Sequence, residues 1–162
     1  NLHVGCHTPP PRGSPTVLKF KYIKVGGSRH RSLNPARVTS VLQAVTKRAT
    51  WEGVIVSPGA RLGPDGEGQY PVLYLAWYPE YGYEAHCMEL EPTSHFLATS
   101  TRLSKPAVYV ELGGQGQELW PRELFVPLGP ATQALRYLLR KGTRDPTLHW
   151  VAIDAFPRRT VT

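Results

Sequence analysis

Cysteine is scarce in this chain: Cys6 and Cys87 are the only two among 162 residues. Two thiols cannot make the framework of bridges that staples small secreted domains, and a single bridge would tie a loose N-terminal arm to a strand. No stretch approaches the roughly 18 consecutive apolar residues of a membrane-spanning helix. Acidic residues are missing from the first 51 positions, which hold nine Lys or Arg. The next fifty positions reverse this, with seven Asp or Glu against Arg61 alone, and the formal total is +7. Asn1 is not an initiator methionine and Leu2 to Gly5 do not read as a signal peptide. The expectation is therefore a soluble, cytoplasmic protein whose N-terminus has been trimmed.

Proline and glycine are plentiful, at 16 and 15 residues, which favours many short elements joined by turns. The length suits one domain that buries its own core. Residues 1–15, with Pro9, Pro10, Pro11 and Pro15, read as a flexible arm. Residues 16–156 read as the domain and 157–162 as a tail. Val17 to Val25 alternates as a half-buried edge strand, and Gly26-Gly27-Ser28 reads as a turn. Asn34 is placed to cap a helix with Pro35 at its first position; Val38, Val41, Leu42 and Val45 then share one face. Trp51 to Val56 reads as a short strand, and 61–69 as a glycine-rich loop.

Val72 to Tyr78 is apolar at both odd and even positions, as in a central strand covered on both sides. Pro79 to Gly82 is a turn, Tyr83 to Glu91 a returning strand, and His95 to Thr101 another. Short turns between consecutive strands imply antiparallel pairing. The last third runs strand (Ala107 to Leu112), glycine-rich tip (Gly113 to Gly116), then Pro121-Arg-Glu-Leu-Phe-Val-Pro-Leu128. A helix from Pro130 to Lys141 follows, with Leu135, Leu138 and Leu139 on one face. Gly142 stops it, Pro146 forbids resumption, and Leu148 to Ile153 reads as a strand. The expected fold is α+β: a mostly antiparallel sheet of about six strands with two helices, near 34–48 and 130–141, packed on it. Trp77 and Trp150 are expected in one core.

The order of a hairpin with a glycine-rich tip, Pro121 to Leu128, the Ala-Leu-Arg-Tyr-Leu-Leu helix, Gly142, Pro146 and Leu148-His149-Trp150-Val151 resembles the Imm-one family of immunity proteins from bacterial polymorphic-toxin systems. The resemblance covers about residues 70–154. It implies a small α+β protein that binds one cognate secreted toxin domain, commonly a nucleic-acid deaminase or nuclease, and occludes its active site. It assigns no binding residues and implies no cofactor.

Residue patterns with catalytic chemistry are sparse. His3, Cys6 and His7 lie in the arm without a second ligand cluster, so no metal is expected. His86 and Cys87 point to opposite faces of one strand, and a Cys–His pair lacks an identifiable orienting group. Gly113 to Gly116 precedes a strand, not a helix, so it is no phosphate cradle. No catalytic set emerges. The alternative reading is a nucleic-acid-binding module using the basic N-terminal third, but Lys19, Lys21, Arg29 and Arg31 lack a base-stacking aromatic motif beside them. A dispersed hydrolase or transferase site is a further alternative. For a toxin partner, the acidic middle is the expected contact: Asp65 and Glu67 on a loop, Glu80 with Tyr81 and Tyr83 at a turn, and Glu84, Glu89 and Glu91 on a strand. The tyrosines serve as anchors and the carboxylates steer association.

Overall fold

Apolar side chains on both faces of one strand set the layout of the molecule. The computed structural model describes residues 20–58, 70–90, 93–112 and 116–161. Its larger sheet is antiparallel throughout, with β1 (Tyr22–Val25), β2 (Ser28–His30), β3 (Val54–Ser57), β4 (Val72–Tyr78), β5 (Gly82–Leu90), β6 (Thr93–Ala98) and β9 (His149–Ala152). The spatial order is β2-β1-β3-β4-β5-β6-β9, which puts β4 in the centre. A smaller sheet comprises β7 (Val108–Glu111), β8 (Gln117–Trp120) and β10 (Arg159–Val161), in the order β10-β8-β7. With two helices packed on the larger sheet, the fold is α+β.

The two faces of β4 are filled by different partners. Leu73 and Leu75 join Val54, Val56, Ala85 and Cys87 in a core covered by α1 (Val38–Val45) and α2 (Leu128–Lys141). On the opposite face, Phe96, Ala98 and Val151 meet Val108, Val110, Trp120, Phe125 and Phe156 beneath the smaller sheet. One sheet is thus sandwiched between a helical layer and a second sheet, and two separate cores result.

Local chemistry explains the helix limits. The Asn34 side chain accepts a hydrogen bond from the Ala36 amide at 2.9 Å, and Pro35 opens a 3-10 turn, Pro35–Arg37, that leads into α1. At the far end of α2, Gly142 has φ = 74° and its N–H donates to the Leu138 carbonyl at 2.8 Å. Pro130 is the third residue of α2, not the first, because Pro127 caps the helix two residues earlier than the sequence suggests. Arg136 crosses from α2, donating to Pro35 O at 3.0 Å and to Thr39 Oγ1 at 3.3 Å, which fixes α2 against the start of α1.

Several expectations are corrected. β1 is not an edge strand; Gly26-Gly27 is the expected turn, but Ser28 opens β2, a three-residue exposed edge. Trp51 lies before β3 in a turn instead of opening the strand. Residues 159–161 are not a tail, because they pair with β8. The proposed arm, residues 1–15, lies outside the described residues. Trp77 and Trp150 do pack on the same helical core, but both are only partly buried.

Asp145, buried at the foot of α2, holds the connection to β9. Its carboxylate accepts from the Thr147 amide at 2.9 Å, Thr147 Oγ1 at 2.7 Å and Gln133 Nε2 at 2.9 Å, while its backbone carbonyl accepts from Trp150 Nε1 at 2.9 Å. Burial alone would raise its pKa, but these hydrogen bonds outweigh it and hold the carboxyl below its usual range. Glu123, bonded by Ser104, is likewise depressed against the effect of burial. His95 is depressed too, by burial and then by Arg144, and its Nδ1 is buried without a hydrogen-bond partner.

A depressed histidine is stabilising when neutral, so its contribution is full above about pH 6.5 and falls away as acidification passes below that value. Depressed carboxylates keep their contribution until pH falls through their lowered folded values, below about pH 4. Urea midpoints measured across pH should therefore decline in two stages. Substituting His95→Gln should remove the first stage, and Asp145→Asn should weaken the second while lowering stability at neutral pH. A flat profile from pH 7 down to about pH 4 would contradict the lowered pKa of His95.

Candidate functional site

Strand periodicity decides which side chains of the β4–β5 hairpin meet a partner. Leu73 pairs with Cys87, Leu75 with Ala85 and Trp77 with Tyr83, and these look toward the helices. Tyr74 pairs with His86 and Ala76 with Glu84, so these lie on the opposite face. The small sheet covers only part of that face. Beyond its rim, a cleft of about 510 Å³ is walled by Trp51, Ala76, Tyr78, Tyr109, Glu111 and Gln117. A second recess, sharing Thr50, Trp51 and Ala76 with the first, continues to Lys24, Tyr74, Glu84 and His86.

Two aromatic side chains stand out at the mouth. Trp51 is 85% exposed and Tyr109 is 60% exposed. Each has an identifiable reason. Trp51 sits in the turn between α1 and β3, where no layer reaches it. Tyr109 is on β7, an edge of the small sheet, where the burial pattern alternates and Val108 and Val110 take the inward positions.

Below the mouth, Glu84 is only 6% exposed and its Oε1 lies 2.7 Å from His86 Nδ1. The imidazole is stacked between Tyr74 (centroids 4.7 Å apart, planes at 17°) and Phe96 (5.0 Å, 29°). Rotation of the ring is thus opposed from both sides, which fixes Nδ1 toward the carboxylate and Nε2 away from it. Tyr78 reports the field in the cleft. Its pKa is pushed well above the usual tyrosine value, first by burial and then by Glu84 and Glu111. Both carboxylates therefore act on the same phenol.

Of the eight residues expected at a toxin contact, the five that are described are not all brought together. Glu80, Tyr81 and Tyr83 do share a cleft of about 500 Å³ with Gln43, Thr46 and Trp77, but it lies on the helical side of the sheet. Tyr81 is exposed, with Phe125 at 5.9 Å and the Arg122 guanidinium 5.6 Å from its ring. Glu80 has φ = 73°, left-handed backbone in the turn that joins β4 to β5. Tyr83 is a correction: it is 2% exposed and its hydroxyl donates to the Leu42 carbonyl at 2.7 Å, so it ties β5 to α1 and is no surface anchor. Glu84 faces the opposite side from these. Glu89 is engaged by Arg144 Nε at 2.8 Å; burial opposes ionisation, but the hydrogen bonds and charge of Arg144 prevail and lower its pKa. Asp65, Glu67 and Glu91 lie outside the described residues.

Cys87 and His95, expected on adjacent strands, face each other in register on β5 and β6. Burial pushes the Cys87 thiol up to about 12, with Glu89 adding and Arg144 opposing. A buried thiol held in its protonated form is a poor nucleophile. Among the described residues no group of three His, Cys, Asp or Glu is arranged to hold a metal ion, and no helix is long and apolar enough to cross a membrane. His3, Cys6 and His7 lie outside the described residues.

Trp51, Tyr78, Tyr109 and Glu111 were missed as site residues. The alternation Val108-Tyr109-Val110-Glu111 was the available signal for the last two, since it places Tyr109 and Glu111 outward together. Comparison with protein-family models, with curated proteins and with solved structures finds no match.

Proposed function

We propose that this chain is an immunity protein that binds one cognate toxin domain and occludes its active site. The observation that carries this reading is the pair of exposed aromatic side chains, Trp51 and Tyr109, at the mouth of one cleft. Large aromatics that contribute little to their own core are favoured as anchors in protein–protein contacts, where they desolvate on docking. The resemblance of residues 70–154 to the Imm-one family supports the same class of partner. A nucleic-acid deaminase or nuclease acts inside the cell, so the inhibitor is proposed to work in the cytoplasm, without a cofactor.

The decisive experiment co-expresses the protein with any toxin domain that a neighbouring gene encodes. Cells should survive, the two chains should co-purify as a stoichiometric complex, and toxin turnover should fall with added inhibitor. His86→Ala and Cys87→Ala should each keep protection while folded. Unprotected cells sink the proposal, as does an intrinsic turnover abolished by Glu84→Gln, His86→Ala or Cys87→Ala in a folded protein.

One observation favours the alternative of a nucleic-acid module. Arg29 lies 4.0 Å over the ring of Tyr22 on the basic edge of the larger sheet, near Lys24. That reading requires oligonucleotide binding that weakens steeply with salt. Immunity requires no such binding.

A further inference from the structure

A toxin that acts on nucleic acid carries a basic substrate cleft, and an inhibitor with net charge +7 must meet it with a local reversal of sign. The open face of the larger sheet supplies one. Among the described residues lining the cleft between Trp51 and Tyr109, Glu111 is the charged one and none is basic. The adjoining recess adds Glu84, with Lys24 at its far side. Tyr78, on the floor, feels both carboxylates. Two exposed ring faces and a carboxylate therefore surround a space of about 510 Å³.

We propose that this cleft receives a cationic side chain, arginine by preference, projecting from the protein partner. The proposal rests on the immunity reading for the partner's identity, but the chemistry is a property of the cleft. A guanidinium is planar and weakly hydrated, so it stacks on tryptophan and tyrosine faces, where the ring quadrupole attracts it. Its donor fork matches a carboxylate edge, which Glu111 offers. A phosphate would meet the same carboxylates as like charge and gain nothing from the ring faces. The arrangement thus selects a basic protein segment over a nucleic-acid backbone.

The test needs no toxin. A capped tri-arginine peptide and its tri-citrulline counterpart, equal in shape but uncharged, are titrated into the full chain at physiological salt. The Trp51 indole N–H resonance is followed, assigned by its loss in Trp51→Phe. The arginine peptide should shift that resonance and bind at least about fivefold more tightly than the citrulline peptide, the scale of an exposed cation–π contact. Measured by calorimetric titration, Trp51→Ala should weaken binding about fivefold and Glu111→Gln about threefold. Asp154→Asn, an exposed change outside the cleft, should leave it unaltered.

Equal binding of the two peptides, no shift at Trp51, or indifference to Glu111→Gln overturns the proposal. So does a short oligothymidylate that displaces the arginine peptide from the cleft. If the Trp51→Ala, Glu111→Gln double variant still protects cells from the toxin as well as the parent, the cleft proposal falls while the immunity reading stands. If the arginine peptide binds as expected but the parent protein gives no protection, the immunity reading falls and the cleft chemistry stands.

Discussion

Phe125→Ala is expected to cost about 3–5 kcal/mol of stability, read as a lower urea midpoint. Phe125 is fully buried in the core beneath the small sheet. Its ring meets Tyr78 of β4 edge-on at 5.1 Å and Tyr81 of the following turn at 5.9 Å. The segment carrying it is fixed as well: Arg122 Nη1 donates to the Phe125 carbonyl at 3.1 Å, and the neighbouring Val126 exchanges backbone hydrogen bonds with Tyr83 at 2.8 and 2.9 Å. With the backbone held in place, the surroundings cannot collapse into the space left by the ring, which puts the loss toward the upper end for a phenylalanine. Phe125→Leu should recover most of it. A midpoint within about 1 kcal/mol of the parent would mean that the second core adds little to the fold.

Gly53→Ala should be of similar severity for a different reason. A Cβ at Gly53 would lie 1.8 Å from the carbonyl oxygen of Leu75 and 2.9 Å from its carbonyl carbon. Both obstacles are backbone of the central strand, so relief requires β3 and β4 to separate where Val54 pairs with Leu75. The expected penalty is about 3 kcal/mol or more, the upper range for inserting a methyl group into a packed site. Gly129→Ala is the contrasting case. It lies in α2 with open space around it, and alanine there should be neutral or gain up to about 1 kcal/mol. If the two variants unfold at the same urea concentration, close approach of backbone does not explain the glycine at position 53.

Much of the architecture could be read from periodicity, and the reasons for the failures are physical. Val72 to Tyr78, apolar on both faces, announced a central strand with two coverings, and β4 has both. Asn34-Pro35 and Gly142 announced helix ends through backbone chemistry that needs no tertiary context. Ser28 to His30 carries no strand signal because an exposed three-residue edge strand has no apolar pattern. β10 was hidden for the same reason: two of its three residues are exposed, and only the neighbouring β8 makes it a strand. The site was harder. Charge along the chain suggested one acidic patch, but Glu84 and Glu89 differ by an odd number of strand positions and so emerge on opposite faces. Trp51 reads as the first residue of a strand because it adjoins the apolar run Val54 to Val56. Its exposure follows from the turn it occupies, which no local pattern disclosed.

Strand order also has a consequence for how the chain reaches its native state. The pairs β1–β2, β4–β5, β5–β6 and β7–β8 join neighbours in sequence, so their closure entropy is small. β9 instead pairs with β6, setting His149 beside Ala98, and β10 pairs with β8 across the whole of α2. β1 likewise pairs with β3 across α1. Hairpins can therefore assemble early, while these three pairings must await the helix between them. Until they form, β3, β6 and β8 each present an unpaired edge to other chains. The hazard on the way to this fold is therefore intermolecular strand pairing at those three edges, and it should grow with protein concentration during refolding.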